Sequence, residues 1–187
     1  MQAISASPIR AFTPFKQFIY MFALTVAAQG FHMVEHIAQV MQKFLFHIIP
    51  AHGLIGQLDL EQVHFAFNLF YLSTLIAVMI GWLYYGSQVS PRWKAFGVVL
   101  LATVLIQSYH MAEHTVKLVQ FVETMTQGTP GILGAHFDGV IVHAVMNTLV
   151  FLPVVLVFLG GGVYKHLSLR SRKKTSQINL KPPSYND

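Results

Sequence analysis

The sequence predicts an all-α integral membrane protein, a four-transmembrane-helix bundle made of two parallel two-helix repeats related by pseudo-twofold symmetry. Three observations predict it. Composition is the first: 54% of the 187 residues are hydrophobic and 10% charged, whereas about a quarter of a soluble domain is charged. The second is four apolar runs, near 17–45, 60–86, 92–124 and 138–164, each reaching the roughly 20 residues that cross a hydrocarbon core. Lipid offers the backbone no hydrogen-bond partner, so spanning segments must be helices or a closed barrel. These runs are too long and continuous for barrel strands. The third is a pattern written twice. Gln29-Gly30-Phe31-His32-Met33-Val34-Glu35-His36 recurs as Gln107-Ser108-Tyr109-His110-Met111-Ala112-Glu113-His114.

Taken in order, residues 1–16 read as a lead-in with Pro8 and Pro14, 17–86 as the first repeat, 87–165 as the second and 166–187 as a basic, disordered tail. The lead-in and first run suggest an uncleaved anchor, because the apolar stretch continues far beyond the length of a signal peptide. Helix 1 starts near Phe15 to Phe18 with lipid-facing residues. Polarity then enters at Gln29, His32, Glu35, His36, Gln39 and Gln42, in steps of three and four that make one stripe. The segment from His47 to Gly56 is broken at Pro50, Gly53 and Gly56 and is apolar enough to dip back as a lid. Helix 2 starts near Asp59 and carries His64 and Asn68. Helix 3 repeats helix 1, with the stripe Gln107, His110, Glu113, His114 and Lys117. After the glycine-bearing loop 127–134, helix 4 opens at Asp138, carries His143 and Asn147, and runs to Gly160-Gly161-Gly162. Asp59 and Asp138 are read as helix N-caps.

The formal charge is +5, but its placement argues against nucleic acid, since no folded basic domain presents it. Ten of the twelve Lys and Arg fall before helix 1, between helices 2 and 3, or after helix 4; only Lys43 and Lys117 do not. The positive-inside rule then puts both termini in the cytoplasm, most simply in a bacterial inner membrane. The basic tail is also a contact for anionic lipid. No cysteine is present, which excludes thiolate metal sites, iron–sulfur clusters and covalently attached c-type haem.

Ionisable residues within a span mark function by default. One such histidine alone reads as an interhelical hydrogen-bonding group. Here six histidines, with two glutamates, are expected in one layer of the bundle, and leaving them unpaired would cost several kcal/mol each. The expected metal ligands are His32, Glu35, His36, His64, His110, Glu113, His114 and His143, with Gln29, Asn68, Gln107 and Asn147 orienting them. Two transition ions fit best, each with three histidines: His32, His36 and His64 for one, His110, His114 and His143 for the other. Swapped pairings with the facing half are equally allowed, and the two glutamates would bridge or cap the ions. Imidazole and carboxylate donors suit iron, copper, zinc or manganese. Bis-histidine haem is the alternative cofactor; it would use two histidines and leave the glutamates unexplained. Met33, Met111 and the aromatics are read as packing, Lys117 as a side chain reaching for the surface, and His47, His52 and His136 as loop residues.

The spacing His-x-x-Glu-His resembles the inverzincin motif, in which the histidines hold zinc and the glutamate is the base. The arrangement also looks like the ferritin-type carboxylate bundle around two irons, though histidine dominates here. In this it is closer to the histidine boxes of membrane desaturases and hydroxylases. The expected function is a membrane metal site near the outer leaflet, serving redox or oxygen chemistry on a lipophilic substrate such as a quinol or hydrocarbon, or equally hydrolysis by a metal-bound hydroxide. A haem- or pigment-binding electron-transfer subunit and a metal carrier or assembly factor are the competing expectations. Self-association, or membership of a larger membrane complex, is compatible with each.

Overall fold

The computed structural model describes residues 13–56 and 60–167; the lead-in before Thr13 and the tail after Leu167 lie outside the described residues. Helix α1 spans Pro14–Val40 and continues through a π-helical turn, Met41–Leu45. It starts slightly earlier than the apolar run alone suggests. Thr13 caps it by accepting from the Lys16 amide at 3.4 Å, and Pro14 occupies the first turn, where its missing N–H costs nothing.

Helix α2 spans Glu61–Val89. Its N-cap is Leu60, which makes no side-chain cap hydrogen bond; Asp59, expected as the cap, lies outside the described residues. Helix α3 spans Trp93–Thr124 and closes on Met125 in the left-handed region. Helix α4 spans Gly139–Gly160. Asp138 caps it as expected, accepting from the Val140 amide at 3.0 Å and the Ile141 amide at 3.3 Å. The run predicted to continue to 164 stops at Gly160, because Gly162 takes a φ of 84°. A 3₁₀ turn, Val163–His166, follows.

The helices form a four-cornered bundle in which α2 lies against α3, α1 against α4, and each consecutive pair also packs together. No strand occurs among the described residues. All four helices are long and apolar enough to cross a membrane.

The inward stripes decide what the bundle contains. Along α1 they run from Phe18, Ile19 and Phe22 through Thr25 to Gln29, His32, Glu35, His36 and Gln39. Helix α3 repeats the order, from Leu100 through Thr103 to Gln107, His110, Glu113, His114 and Lys117. The antiparallel helices α2 and α4 meet them with His64 and Asn68, and with His143 and Asn147, before turning apolar. One end of the interior is therefore hydrophobic and the other is polar. Outward positions, in contrast, carry large apolar side chains, among them Leu24, Phe31, Ile37, Leu83, Val98, Leu105 and Leu152.

Trp82 anchors the hydrophobic end. It is fully buried, donates its indole N–H to the Trp93 carbonyl at 2.8 Å and meets Phe18, Phe22 and Phe96 with ring centroids 6.3–6.5 Å apart. Gly81 lets α1 approach, since a Cβ there would overlap the Phe18 ring. Replacing Gly81→Val is expected to destabilise the bundle by about 1–3 kcal/mol, read as a lowered midpoint of thermal unfolding in detergent.

Lys43, in the π-helical turn, pairs with Asp138 and so ties the end of α1 to the start of α4. The Asp138 carboxyl is held below its usual pKa, mainly by the Lys43 hydrogen bond and also by the Ile141 and Val140 amides, against the effect of partial burial. A folded-state pKa below the unfolded value of about 3.9 means that this contribution is complete above that value and is lost as pH falls through the folded one. Asp138→Ala should cost about 1 kcal/mol near neutral pH. The gap between variant and wild type should narrow on acidification below the ordinary carboxylate range.

Candidate metal centre

The polar end of the interior brings together all six motif histidines. Within the first half, His32 and His36 have ring centroids 4.4 Å apart, and His64 lies 5.3 Å and 5.6 Å from them. In the second, His110 and His114 are 4.7 Å apart, with His143 at 5.8 Å and 5.0 Å. The halves interlock, with His64 stacked on His114 at 5.5 Å and His36 on His143 at 5.9 Å. Phe67 covers the outer face of His32, stacked at 4.3 Å.

The donor nitrogens of His32, His36 and His64 all lie within 4.8 Å of one another, so this buried triad could hold a metal ion. Helix geometry supplies the first pair, because residues four apart share a face. His32 Nε2 and His36 Nε2 are 3.0 Å apart. Two imidazole nitrogens each about 2.0–2.1 Å from one ion stand about 3 Å apart when the angle between them is near 90°.

Tautomers are set by the other ring nitrogen. His36 Nδ1 donates to Gln39 Oε1 at 2.8 Å, which leaves its Nε2 as the lone-pair atom facing His32. His143 Nδ1 donates to the Gly139 carbonyl at 2.7 Å, again freeing Nε2 as a donor to a cation. Several buried nitrogens have no hydrogen-bond partner, namely His64 Nε2, His110 Nδ1 and both nitrogens of His114. Such orphans are costly in a dry interior unless something satisfies them.

The glutamines and asparagines cross-link the helices beneath this layer. Gln29 donates to Asn147 Oδ1 at 2.7 Å, and Gln107 to Asn68 Oδ1 at 3.0 Å. Each asparagine in turn donates to the carbonyl of the histidine one turn earlier, Asn68 to His64 and Asn147 to His143. Asn147 Nδ2 also reaches His110 Nε2 at 3.4 Å.

Glu35 and Glu113 lie on the same helices but engage the loops. Glu35 accepts from the Ile55 amide at 3.0 Å. Both oxygens of Glu113 accept from the Ile132 and Leu133 amides at 3.0–3.2 Å. Gly53 and Gly131, with φ of 79° and 72°, pass so close that a Cβ on either would overlap the carboxylate. Gln42 holds Gly53 from both sides, and Gln120 accepts from the Gly131 amide at 2.8 Å. Two loops are thereby folded down over the histidines. His47, His52 and His136 stay exposed in these loops, and Met33 and Met111 are buried.

Glu61 escaped the sequence reading. It is buried and pairs with Lys117 at 3.1 Å, so Lys117 turns inward where the sequence suggested a side chain reaching for the surface. The spacing Glu61-x-x-His64 held the signal, since residues three apart share a helix face. A glutamate opening a helix is in any case a favourable partner of the helix dipole, so its position alone does not single it out. A cavity of about 360 Å³ lies between the loops and the cluster, lined by His36, His64, His143, Gln39, Glu61 and Lys117 among others.

No protein-family model, curated protein or solved structure matches the chain.

If the glutamates act as loop clasps, Glu35→Gln and Glu113→Gln should leave the histidine cluster intact. Hydrogen exchange at Ile55, Ile132 and Leu133 is expected to rise, with bound metal per chain changing far less than in histidine variants. Loss of metal with unchanged loop exchange would instead make the carboxylates ligands.

Proposed function

We propose that this chain is an integral membrane metalloprotein whose six histidines hold transition ions, two in number, for redox or oxygen chemistry. The observation that carries the reading is the cluster itself: six imidazoles with neighbouring ring centroids 4.4–6.0 Å apart and several nitrogens without partners. Neutral imidazole is a good ligand for iron, copper and zinc alike, and the Gln39 and Gly139 contacts hold two of the rings ready to bind. His32, His36 and His64 form one ligand group, and His110, His114 and His143 the other, in a bundle made of two related hairpins. The basic residues that flank the hydrophobic end orient that end to the cytoplasm, which sets the ions near the outer leaflet. A lipophilic reductant such as a quinol would approach through the lipid-facing surface.

The spacing of the rings favours ions over haem. A macrocycle lies between its two axial imidazoles, and rings already in contact with one another leave no slot for it.

Protein purified in mild detergent should contain two equivalents of one transition metal per chain and show no Soret or α bands. The double variant His36→Ala, His114→Ala should lose most of that metal. Full metal content in that variant, or haem bands in the wild type, would overturn the reading.

A further inference from the structure

We propose that the cavity above the histidines is a binding site for a small monoanion, held between Lys117 and a metal ion on the cluster. The inference rests on the metal reading above and goes beyond it by assigning the ligand class and the residue that selects it. Charge balance is the starting point. Six neutral imidazoles bring a cation no compensating charge, and a bare ion in a low-dielectric interior is unfavourable. Glu35 and Glu113, the nearest carboxylates in sequence, accept hydrogen bonds from loop amides. Those bonds stabilise the two carboxylates without cancelling their charge, which offsets two divalent ions only in part, and an anion from outside the chain would supply more.

The cavity is built for such a guest on one side only. Its wall carries His36, His64 and His143 together with Lys117. Lys117 stands three residues after His114, as Gln39 stands three residues after His36. Gln39 accepts from its histidine. A lysine has no acceptor to offer, and His114 Nδ1 is without a partner. The second half of the pattern has thus exchanged a group that orients a ligand for a buried cation. A snorkelling lysine would leave the interior; this one is 9% exposed and directed to Glu61. The Glu61 carboxylate holds Lys117 in place and neutral as a pair. An incoming anion competes with it for the ammonium, so Glu61 tunes the affinity. Lys43 lines the same cavity nearer the loops, paired to Asp138, and gives the entrance a second ammonium.

The probe is azide, a small anion that ligates transition ions and gives a ligand-to-metal charge-transfer band. Full-length protein in detergent is first loaded with Cu(II) and its metal content measured, then titrated with azide. The loaded wild type should bind azide saturably. Lys117→Met should weaken binding by about tenfold or more, as expected for loss of one charged hydrogen bond, whereas Lys117→Arg should retain most of it. Glu61→Gln, which leaves the ammonium without its carboxylate, should tighten it. Equal azide affinity in wild type and Lys117→Met at equal copper content would overturn the anion site and leave the metal reading standing. Failure of loaded wild type to bind azide would do the same. Failure to retain copper or any other transition ion would remove the metal reading, and this inference with it.

Discussion

A bundle whose outside is apolar and whose inside is partly imidazole has to satisfy its polar groups internally, and this constraint organises the rest of the molecule. Each buried nitrogen left without a partner costs more here than at a wet surface. The protein answers with cross-links at matched positions, Gln29 to Asn147 and Gln107 to Asn68. Each asparagine is anchored in turn to the carbonyl of His143 or His64. These ties join α1 to α4 and α3 to α2, so the helices that bring the histidines together cannot rotate independently. The polar layer therefore specifies the packing, and His64, which belongs to the triad that could hold a metal ion, keeps its Nε2 without a partner.

The loops extend the same logic. A carboxylate buried beneath them would be a liability, but Glu35 and Glu113 each meet backbone N–H groups of a turn that only glycine can make so closely. Charge-assisted bonds of this kind are stronger than neutral ones. The motif therefore divides its labour by residue type. On each helix the imidazoles face the cluster and the acid, one residue before the second histidine, secures the cover.

Much of this was legible beforehand. Apolar runs gave the number of helices, and steps of three and four gave the faces, because both follow from helical geometry in a nonpolar setting. The meeting of His32, His36, His64, His110, His114 and His143 followed from duplicated spacing. What a one-dimensional pattern could not convey was direction in space. Glu35 shares a face with the histidines, yet its target is the Ile55 amide, set by a loop whose path depends on the Gly53 conformation. Lys117 and Glu61 lie far apart in the chain and become partners only when α2 packs against α3. The end of α4 at Gly160 agrees with the glycine run Gly160-Gly161-Gly162, whereas hydropathy alone carried the apolar run on to 164.

The stack around Trp82 has one further consequence. Phe22, Leu75, Leu100, Val154 and Val157 fill the far half of the interior with no exposed surface, so the histidine chamber is a blind alley. A small solute that enters between the loops meets a closed apolar floor, and among the described residues the interior offers no continuous polar route from one end to the other.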